Sequence, residues 1–330
     1  MKKNSLKVFL LTLVTFMSLP LSAQYTTSFT VTELENGELC REIDINVSRL
    51  LTEFNVAEHN KTKPNISDMG VTAEAIPVIL KLWEDCPFRC ADTDVVERAI
   101  QTPRGEWQIR NIHLIMMPQT KEQDSWKKYQ EAVITVDNKG EIVDFHLAVN
   151  PDLYIKVMSG ASDVDDFVQR QLILEYVERF RNAYCLKDIN FLQQVFSEDA
   201  LIITGKVITS VKSDVNRMSM NNKKVIYSRQ SKKQYLTNLE RVFRNNKHIN
   251  VLFDEIKVVK HPAKADFYGV TLKQGYSSDH YSDEGYVFLL WDFSNVDAPQ
   301  IHVRTWQPDK IDLNTPLPEE EIFSIDDFDI

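Results

Sequence analysis

Residues 180–205 read FRNAYCLKDINFLQQVFSEDALIITG, and the hydrophobic period changes twice within them. Apolar residues recur at helical spacing from Val164 to Tyr184, which predicts one long helix with a broad apolar stripe. INFLQQVF (189–196) predicts a second, short helix, and ALIITG (200–205) predicts a strand. The chain therefore passes from helix to sheet within this stretch.

The same order continues downstream of residue 205. KKQYLTNLERVFR (232–244) has apolar residues at helical spacing and predicts a third helix. Strands are predicted near 249–260, 266–274, 285–293 and 300–307. Helices followed by strands, without regular alternation, indicate an α+β domain.

The first half of the chain follows the same plan. Helices are predicted over 38–58 and 73–83, after a polar N-terminal stretch at 24–35 that predicts a loop. A turn is predicted at CPFRC (86–90), and strands follow near 94–102, 106–117, 129–137 and 142–149. The sequence thus predicts an α+β fold of two tandem domains, each with helices packed on a curved antiparallel sheet.

The two halves also resemble each other. WQIRNIHLIMMP (107–118) and VLFDEIKVVKHP (251–262) align without a gap, with apolar residues at matching positions. A repeat of this length indicates tandem domains, the first a diverged copy of the second. The predicted boundaries are 24–151 for the first domain, 162–308 for the second and 309–330 for an acidic C-terminal tail.

Residues 163–308 resemble the nuclear transport factor 2-like superfamily. The resemblance is carried by the spacing from Asp188-Ile189 through Phe196 to Asp199-Ala200 and Gly205, and by the closing VRTWQP (303–308). It implies a cone-shaped α+β domain, a curled sheet covered by helices with space for a pocket. The superfamily hosts enzymes, ligand carriers and assembly modules, so the resemblance implies no particular chemistry.

Residues 1–23 have the pattern of a signal peptide. Lys2, Lys3 and Lys7 precede the apolar run VFLLTLVTFMSLPL (8–21), and a cleavage site is predicted after Ala23. The run is shorter than the roughly 20 residues that a spanning helix needs. No later segment predicts a transmembrane helix. We expect a protein exported to the periplasm or the extracellular space.

Composition excludes several classes of partner and cofactor. The net charge is −10, and removal of residues 1–23 leaves 35 basic against 48 acidic residues, a net charge of −13. A chain this acidic repels nucleic acid, which is not an expected partner. Only nine of the 330 residues are glycine, and no glycine-rich phosphate loop occurs. No cofactor is predicted.

The four cysteines leave alternatives open. In an oxidising compartment Cys86 and Cys90 could form a disulfide, or one of them could pair with Cys40; otherwise all four, including Cys185, are small buried apolar side chains. Their spacing does not match a zinc site. DHYSDE (279–284) gathers acids and a histidine but predicts a solvated turn, so no metal site is predicted.

The candidate ligand-binding residues lie mainly on the last strand. In QIHVRTWQPD (300–309), alternation places His302, Arg304 and Trp306 on one side, where an arginine fork, a histidine and an aromatic platform could bind an anion. The alternative, which we expect, is that they face outward as an interface. Asp292 and Tyr184 are candidates by residue type, against the simpler interpretations of a strand-end residue and a core aromatic.

No catalytic residue can be assigned from the sequence. The leading hypothesis is an exported, non-catalytic interaction or assembly module of the bacterial cell envelope, with a protein partner or a second copy of itself. The tail (309–330) alternates apolar anchors with acids and could dock on this protein, which is favoured, or on another. The alternative is a small-molecule-binding protein, or an isomerase- or dehydratase-type enzyme, with a pocket in the second domain. Polysaccharide or peptide binding through surface aromatics ranks third.

Overall fold

The computed structural model describes residues 25–119, 128–159, 164, 166–210, 222–311 and 315–328. The predicted signal peptide lies outside the described residues. Within them, the fold is α+β, with six helices and two separate six-stranded sheets, as the sequence predicted. Each sheet is antiparallel except for one parallel pair.

The first domain is built on the sheet order β1-β3-β4-β5-β6, with β2 paired to β4. Only β1 and β3 run parallel. The core centres on Phe54, Phe88 and Phe145, which are fully buried and touch one another through their rings. The elements are α1 Gly37–Asn60, α2 Ala75–Asp85, β1 Ser28–Thr32, β2 Phe88–Cys90, β3 Asp94–Gln101, β4 Trp107–Met116, β5 Tyr129–Val136 and β6 Ile142–Leu147.

The second domain is built on the sheet order β8-β7-β12-β11-β10-β9, in which β7 and β12 are parallel. Its helices cover one face of this sheet and form the larger core with it. The elements are α3 Pro151–Met158, α4 Phe167–Cys185, α5 Ile189–Val195, α6 Lys232–Asn245, β7 Phe196–Ser210, β8 Asn222–Gln230, β9 Ile249–Lys260, β10 Phe267–Ser278, β11 Ser282–Asp292 and β12 Gln300–Pro308.

Local sequence explains where the main helices begin. The side chain of Asn36 accepts hydrogen bonds from the backbone N–H groups of Glu38 and Leu39 and so caps α1. Ser231 and Gln234 form a reciprocal capping box at the start of α6. α1 ends at Asn60, because the next residue, Lys61, has a left-handed φ of 54° that breaks the helical path.

Four elements differ from the sequence predictions, and the longest of them is β8, at 222–230, where no strand was predicted. β1 lies in the stretch predicted as a loop at 24–35, because Phe29 and Val31 are buried by pairing with the distant β3. β2 lies in the predicted turn at 86–90. α3 lies where the link between the domains was expected, and its signal was available: Asn150 caps the helix and Pro151 occupies its first turn.

The Cys86–Cys90 disulfide considered from the sequence is not formed. Both residues are buried, and all four cysteines are free thiols. Cys86 has an extended backbone and β2 continues the extended path. At about 3.3 Å per residue, an extended run over four residues separates the two Cα atoms by roughly 13 Å. A disulfide needs Cα atoms within about 7 Å.

Candidate functional site

A β-bulge in β12 separates the three side chains that alternation places together. Ile301 pairs with Trp291 and Val303 with the adjacent Leu290, so His302 is an extra residue in the ladder. The side chains after the bulge regain alternation, whereas His302 is displaced from them. The predicted trio is therefore divided between the two faces of the sheet, with His302 on one face and Arg304 and Trp306 on the other.

His302 lies on the outer side of the sheet, beside Asp292. Its ring centroid is 5.3 Å from that of Phe267, and its Nε2 is 3.6 Å from Asp292 Oδ2. Asp292 also accepts a hydrogen bond from the Ser294 backbone N–H at 2.8 Å, which holds the turn after β11. Asp292 thus fits the strand-end interpretation, and neither residue meets Arg304.

Arg304 points into the second domain, so the expectation that it faces outward is wrong. It is 6% exposed, and its Cζ lies 5.0 Å from the centroid of the Tyr235 ring on α6. The hydroxyl of Tyr235 is 2.5 Å from that of Tyr184 on α4. Burial, reinforced by Tyr235, raises the pKa of Tyr184 well above its usual value. Nε and Nη1 of Arg304 are buried and have no hydrogen-bond partner.

Tyr184, one of the two tyrosines beside this arginine, belongs to a network of aromatic side chains. Rings on α4, β7, β11 and the following loop meet edge to face or stacked, with centroids 5.0–6.4 Å apart. Trp306 packs against the same core. The contacting rings are Phe180, Tyr184, Phe196, Trp291 and Phe293. Arg304 and Tyr184 are thus brought together as a polar group within an aromatic interior.

A second buried ionic cluster joins the two domains and was missed by sequence reasoning. Glu178 of α4 is fully buried and accepts hydrogen bonds from Arg110 of β4, Nη2 to Oε1 at 2.6 Å and Nη1 to Oε2 at 3.0 Å. The Val149 backbone N–H donates to Oε1 at 2.8 Å. Arg110 comes from the first sheet and Glu178 from the second domain, so this bidentate pair crosses between them.

His146 extends the cluster to a second carboxylate. Its Nε2 is 3.3 Å from Glu178 Oε2, and its Nδ1 is 2.6 Å from Asp144 Oδ2. Burial alone would lower the pKa of His146, but Asp144 and Glu178 together raise it to about 9. Burial would raise the pKa of Glu178, but Arg110 and His146 lower it to about 2. At neutral pH the cluster holds two cations and two anions, and the charges balance.

Further polar contacts surround this cluster at the domain junction. Arg181 donates to the carbonyls of Ala148 and Leu147, each at 3.0 Å, and Asn182 also donates to Leu147. Arg104 of the first domain forms an ion pair with Glu175 of α4. The only sequence signals were an Asp-x-His pair on one strand and acids within the apolar stripe of α4, and neither identifies its partner.

The C-terminal tail docks on the outer face of the second sheet, the face opposite the helices. Phe288, Leu290 and Val303 form an apolar patch there, and Ile325 packs into it. Phe328 stacks on Phe288 with centroids 5.4 Å apart and planes 7° apart. The structure therefore confirms the prediction that the tail docks on this protein itself.

Gln307 and Gly269 hold the tail on this face, and the surface that they form is called the tail seat. The side chain of Gln307, 3% exposed, donates to the Glu321 carbonyl at 2.8 Å and accepts from the Phe323 N–H at 2.7 Å. Gly269 leaves a notch: a Cβ there would lie 3.2 Å from Cβ of Ile325 and 2.9 Å from Phe288. Beside the seat, tail and sheet border a groove of about 640 Å³.

The described part of the chain offers two further observations. None of its helices is long and apolar enough to cross a membrane. This part of the chain contains no cluster of three or more His, Cys, Asp or Glu side chains that could hold a metal ion. In the 279–284 segment, Asp279 instead accepts hydrogen bonds from the N–H groups of Lys247 and His248, which fixes the neighbouring turn.

No protein-family model and no curated protein matches this chain. Solved structures do align with part of it. An NTF2-like protein from Cytophaga hutchinsonii is 11% identical, covering 42% of this chain and 98% of its own, with a TM-score of 0.32. Nuclear transport factor 2 from Cryptosporidium parvum is 7% identical over 42% of this chain and 92% of its own, with a TM-score of 0.30.

A naphthalene 1,2-dioxygenase structure with bound indole also aligns. It is 7% identical and covers 46% of this chain and 85% of its own, with a TM-score of 0.35. These three alignments each cover less than half of this chain, so the resemblance to the nuclear transport factor 2-like superfamily stays a prediction. Identities and TM-scores this low carry no information about ligand, activity or partner.

Proposed function

We propose that this protein is an exported, non-catalytic binding module of the bacterial cell envelope, which recognises a protein segment with apolar anchors on the outer face of its second sheet. The docked tail carries the proposal. Gln307 hydrogen-bonds to the backbone of residues 321 and 323, and Gly269 leaves room for Ile325, so the face accepts a chain segment with apolar anchors.

The junction between the domains supports a binding rather than a catalytic role. Glu178, Arg110 and His146 fix α4 against the first sheet through directed, buried hydrogen bonds. These charges make contacts within the protein, so the buried cluster has a structural explanation.

The seat can be tested with the tail itself. A chain ending at Ile311 should bind a fluorescent peptide of residues 315–328, measured by anisotropy, whereas the full chain should bind it weakly because its seat is filled. Gly269→Val should weaken binding at least about tenfold, since its side chain would meet Ile325 and Phe288.

Gly275→Val provides the matched control. Gly275 lies on the same strand, and a Cβ there would meet nothing within 4 Å. Binding should survive this change. The seat is not a recognition site if the truncated chain keeps its circular dichroism spectrum but does not bind the peptide. The same conclusion follows if both valine variants bind the peptide equally.

Export is tested separately. Residues 1–23 fused to alkaline phosphatase, which folds only in an oxidising compartment, should give active enzyme. Mass spectrometry of the mature protein should find an N-terminus at Gln24. An inactive fusion together with an intact Met1 in the envelope fraction would overturn the localisation.

Arg304 favours a second candidate function, the binding of a small anion inside the second domain. A buried guanidinium whose Nε and Nη1 have no partner is suited to a carboxylate, and the surrounding rings favour an aromatic one. Benzoate should then raise the melting temperature of the wild type and not of Arg304→Met. Equal shifts in both proteins would exclude this site.

A further inference from the structure

The strand β8 has an exposed edge. Among the described strands it pairs with β7 alone, at the end of the second sheet. β12 pairs with β7 as far as Thr204, whereas β7 continues beside β8 to Ser210. From Gly205 onward the two strands therefore extend past the sheet as a two-stranded arm.

This edge has the length and regularity that favour pairing with another strand. It is nine residues long, contains no proline, and pairs with β7 in unbroken register from Ile202↔Gln230 to Ser210↔Asn222. Ile226 and Tyr227 are 44% and 41% exposed. Long regular edges with exposed apolar side chains pair readily with another strand, because their outer N–H and C=O groups lack partners.

The charge of this region is opposite to that of the protein. Residues 222–233 contain five basic residues and no acidic one, in a chain of net charge −10. Arg229 of β8 and Lys206 of the facing β7 are both exposed. A second copy would present the same basic edge and be repelled, whereas an acidic strand would be attracted.

We propose that the edge of β8 binds an extended acidic strand of a partner protein, which continues the sheet. Backbone hydrogen bonds supply the affinity, and the basic side chains select acidic sequences and orient them. Tyr227 of β8 contacts Gln307 of β12 and Phe323 of the docked tail, so this surface adjoins the tail seat. The two proposals are tested apart, because the β8 edge is probed in the full chain with the tail in place.

Two short fluorescent peptides provide the probe, one alternating Glu with Val and one alternating Lys with Val. The full chain should bind the Glu peptide at low ionic strength, with an affinity that falls as salt is added, and should not bind the Lys peptide. Amide hydrogen exchange should slow in residues 225–230 when the Glu peptide binds, because a new ladder protects them.

A charge-reversal pair separates the site from general electrostatics. Lys206→Glu with Arg229→Glu should weaken binding of the Glu peptide about tenfold. The two side chains lie on opposite faces of the strand pair, so an attractive charge becomes repulsive whichever face takes the Glu side chains. Arg98→Glu with Lys139→Glu, both exposed in the first domain, changes the net charge equally and should leave the affinity unchanged.

Each other outcome overturns the proposal. A selective edge would be excluded if the Glu peptide did not bind, or if the two peptides bound equally. It would also be excluded if both double variants weakened binding alike. Protection appearing outside β8 would place the peptide elsewhere. Dimerisation of the chain through β8, seen by light scattering and abolished by Ile226→Pro, would make a second copy the occupant.

Discussion

Glu178 and Arg304 are both buried charges, yet their surroundings differ in kind. Each carboxylate oxygen of Glu178 accepts at least two hydrogen bonds or charged contacts, from Arg110, His146 and the Val149 N–H. Arg304 faces the ring of Tyr235, and its Nε and Nη1 have no partner. Both oxygens of the first charge have partners, whereas two nitrogens of the second have none.

This difference separates a structural ion cluster from a candidate binding group. Removing one member of a compensated cluster leaves the others buried without a counter-charge, which is costly. Removing a charge that has fewer partners also removes its desolvation penalty, which offsets the loss of its remaining contacts. Neutralising the side chain should therefore lower the unfolding free energy strongly at Glu178 and change it little at Arg304.

The largest effect is expected for Glu178→Gln. The variant should lose about 3–5 kcal/mol of unfolding free energy, because Arg110 and His146 keep their charges in a buried site. Urea unfolding followed by circular dichroism measures the loss. Glu198→Gln is the control, since Glu198 is 93% exposed and should change little. A loss below about 1 kcal/mol would show that Glu178 is not compensated as described.

The next effect is a dependence of stability on pH that His146 and Glu178 impose together. The folded-state pKa of His146 is raised from 6.5 to about 9, so its contribution is complete below 6.5 and is lost as pH rises through 9. The pKa of Glu178 is lowered from 4.5 to about 2, so its contribution is complete above 4.5 and is lost as pH falls towards 2.

Melting temperatures measured across pH test these signs. The cluster should contribute most between about pH 4.5 and 6.5. In His146→Gln the alkaline decline between about pH 6.5 and 9 should flatten relative to the wild type, because the group that loses its proton there is gone. A variant whose alkaline decline matches that of the wild type would show that His146 does not stay protonated in the folded protein.

The long elements of the fold were predictable because their signals are local. The stripe on α4, the helical spacing at 232–244 and the alternation in β9 to β12 each lie within one element. β1 and β2 were missed because they are short and gain their burial from distant strands. A five-residue segment holds too little periodicity to separate a strand from a polar loop.

The sites were less predictable, because they depend on bulges and on contacts between the halves. One extra residue at His302 reverses which side chains share a face, and nothing in QIHVRTWQPD marks it. A bulge in β4 between Ile109 and Ile112 similarly accompanies the burial of Arg110. Its partner Glu178 is 68 residues away, so no spacing rule connects them.

The smallest effect on stability is expected at Arg304. Arg304→Met keeps the length of the side chain in contact with Tyr235 and removes a charge whose Nε and Nη1 have no partner, so the unfolding free energy should change by less than about 1 kcal/mol or increase. Urea unfolding alongside Glu178→Gln measures the contrast directly. If Arg304→Met were as destabilising as Glu178→Gln, the guanidinium would be a structural member of the core, and the case for an anion site in the second domain would lose its basis.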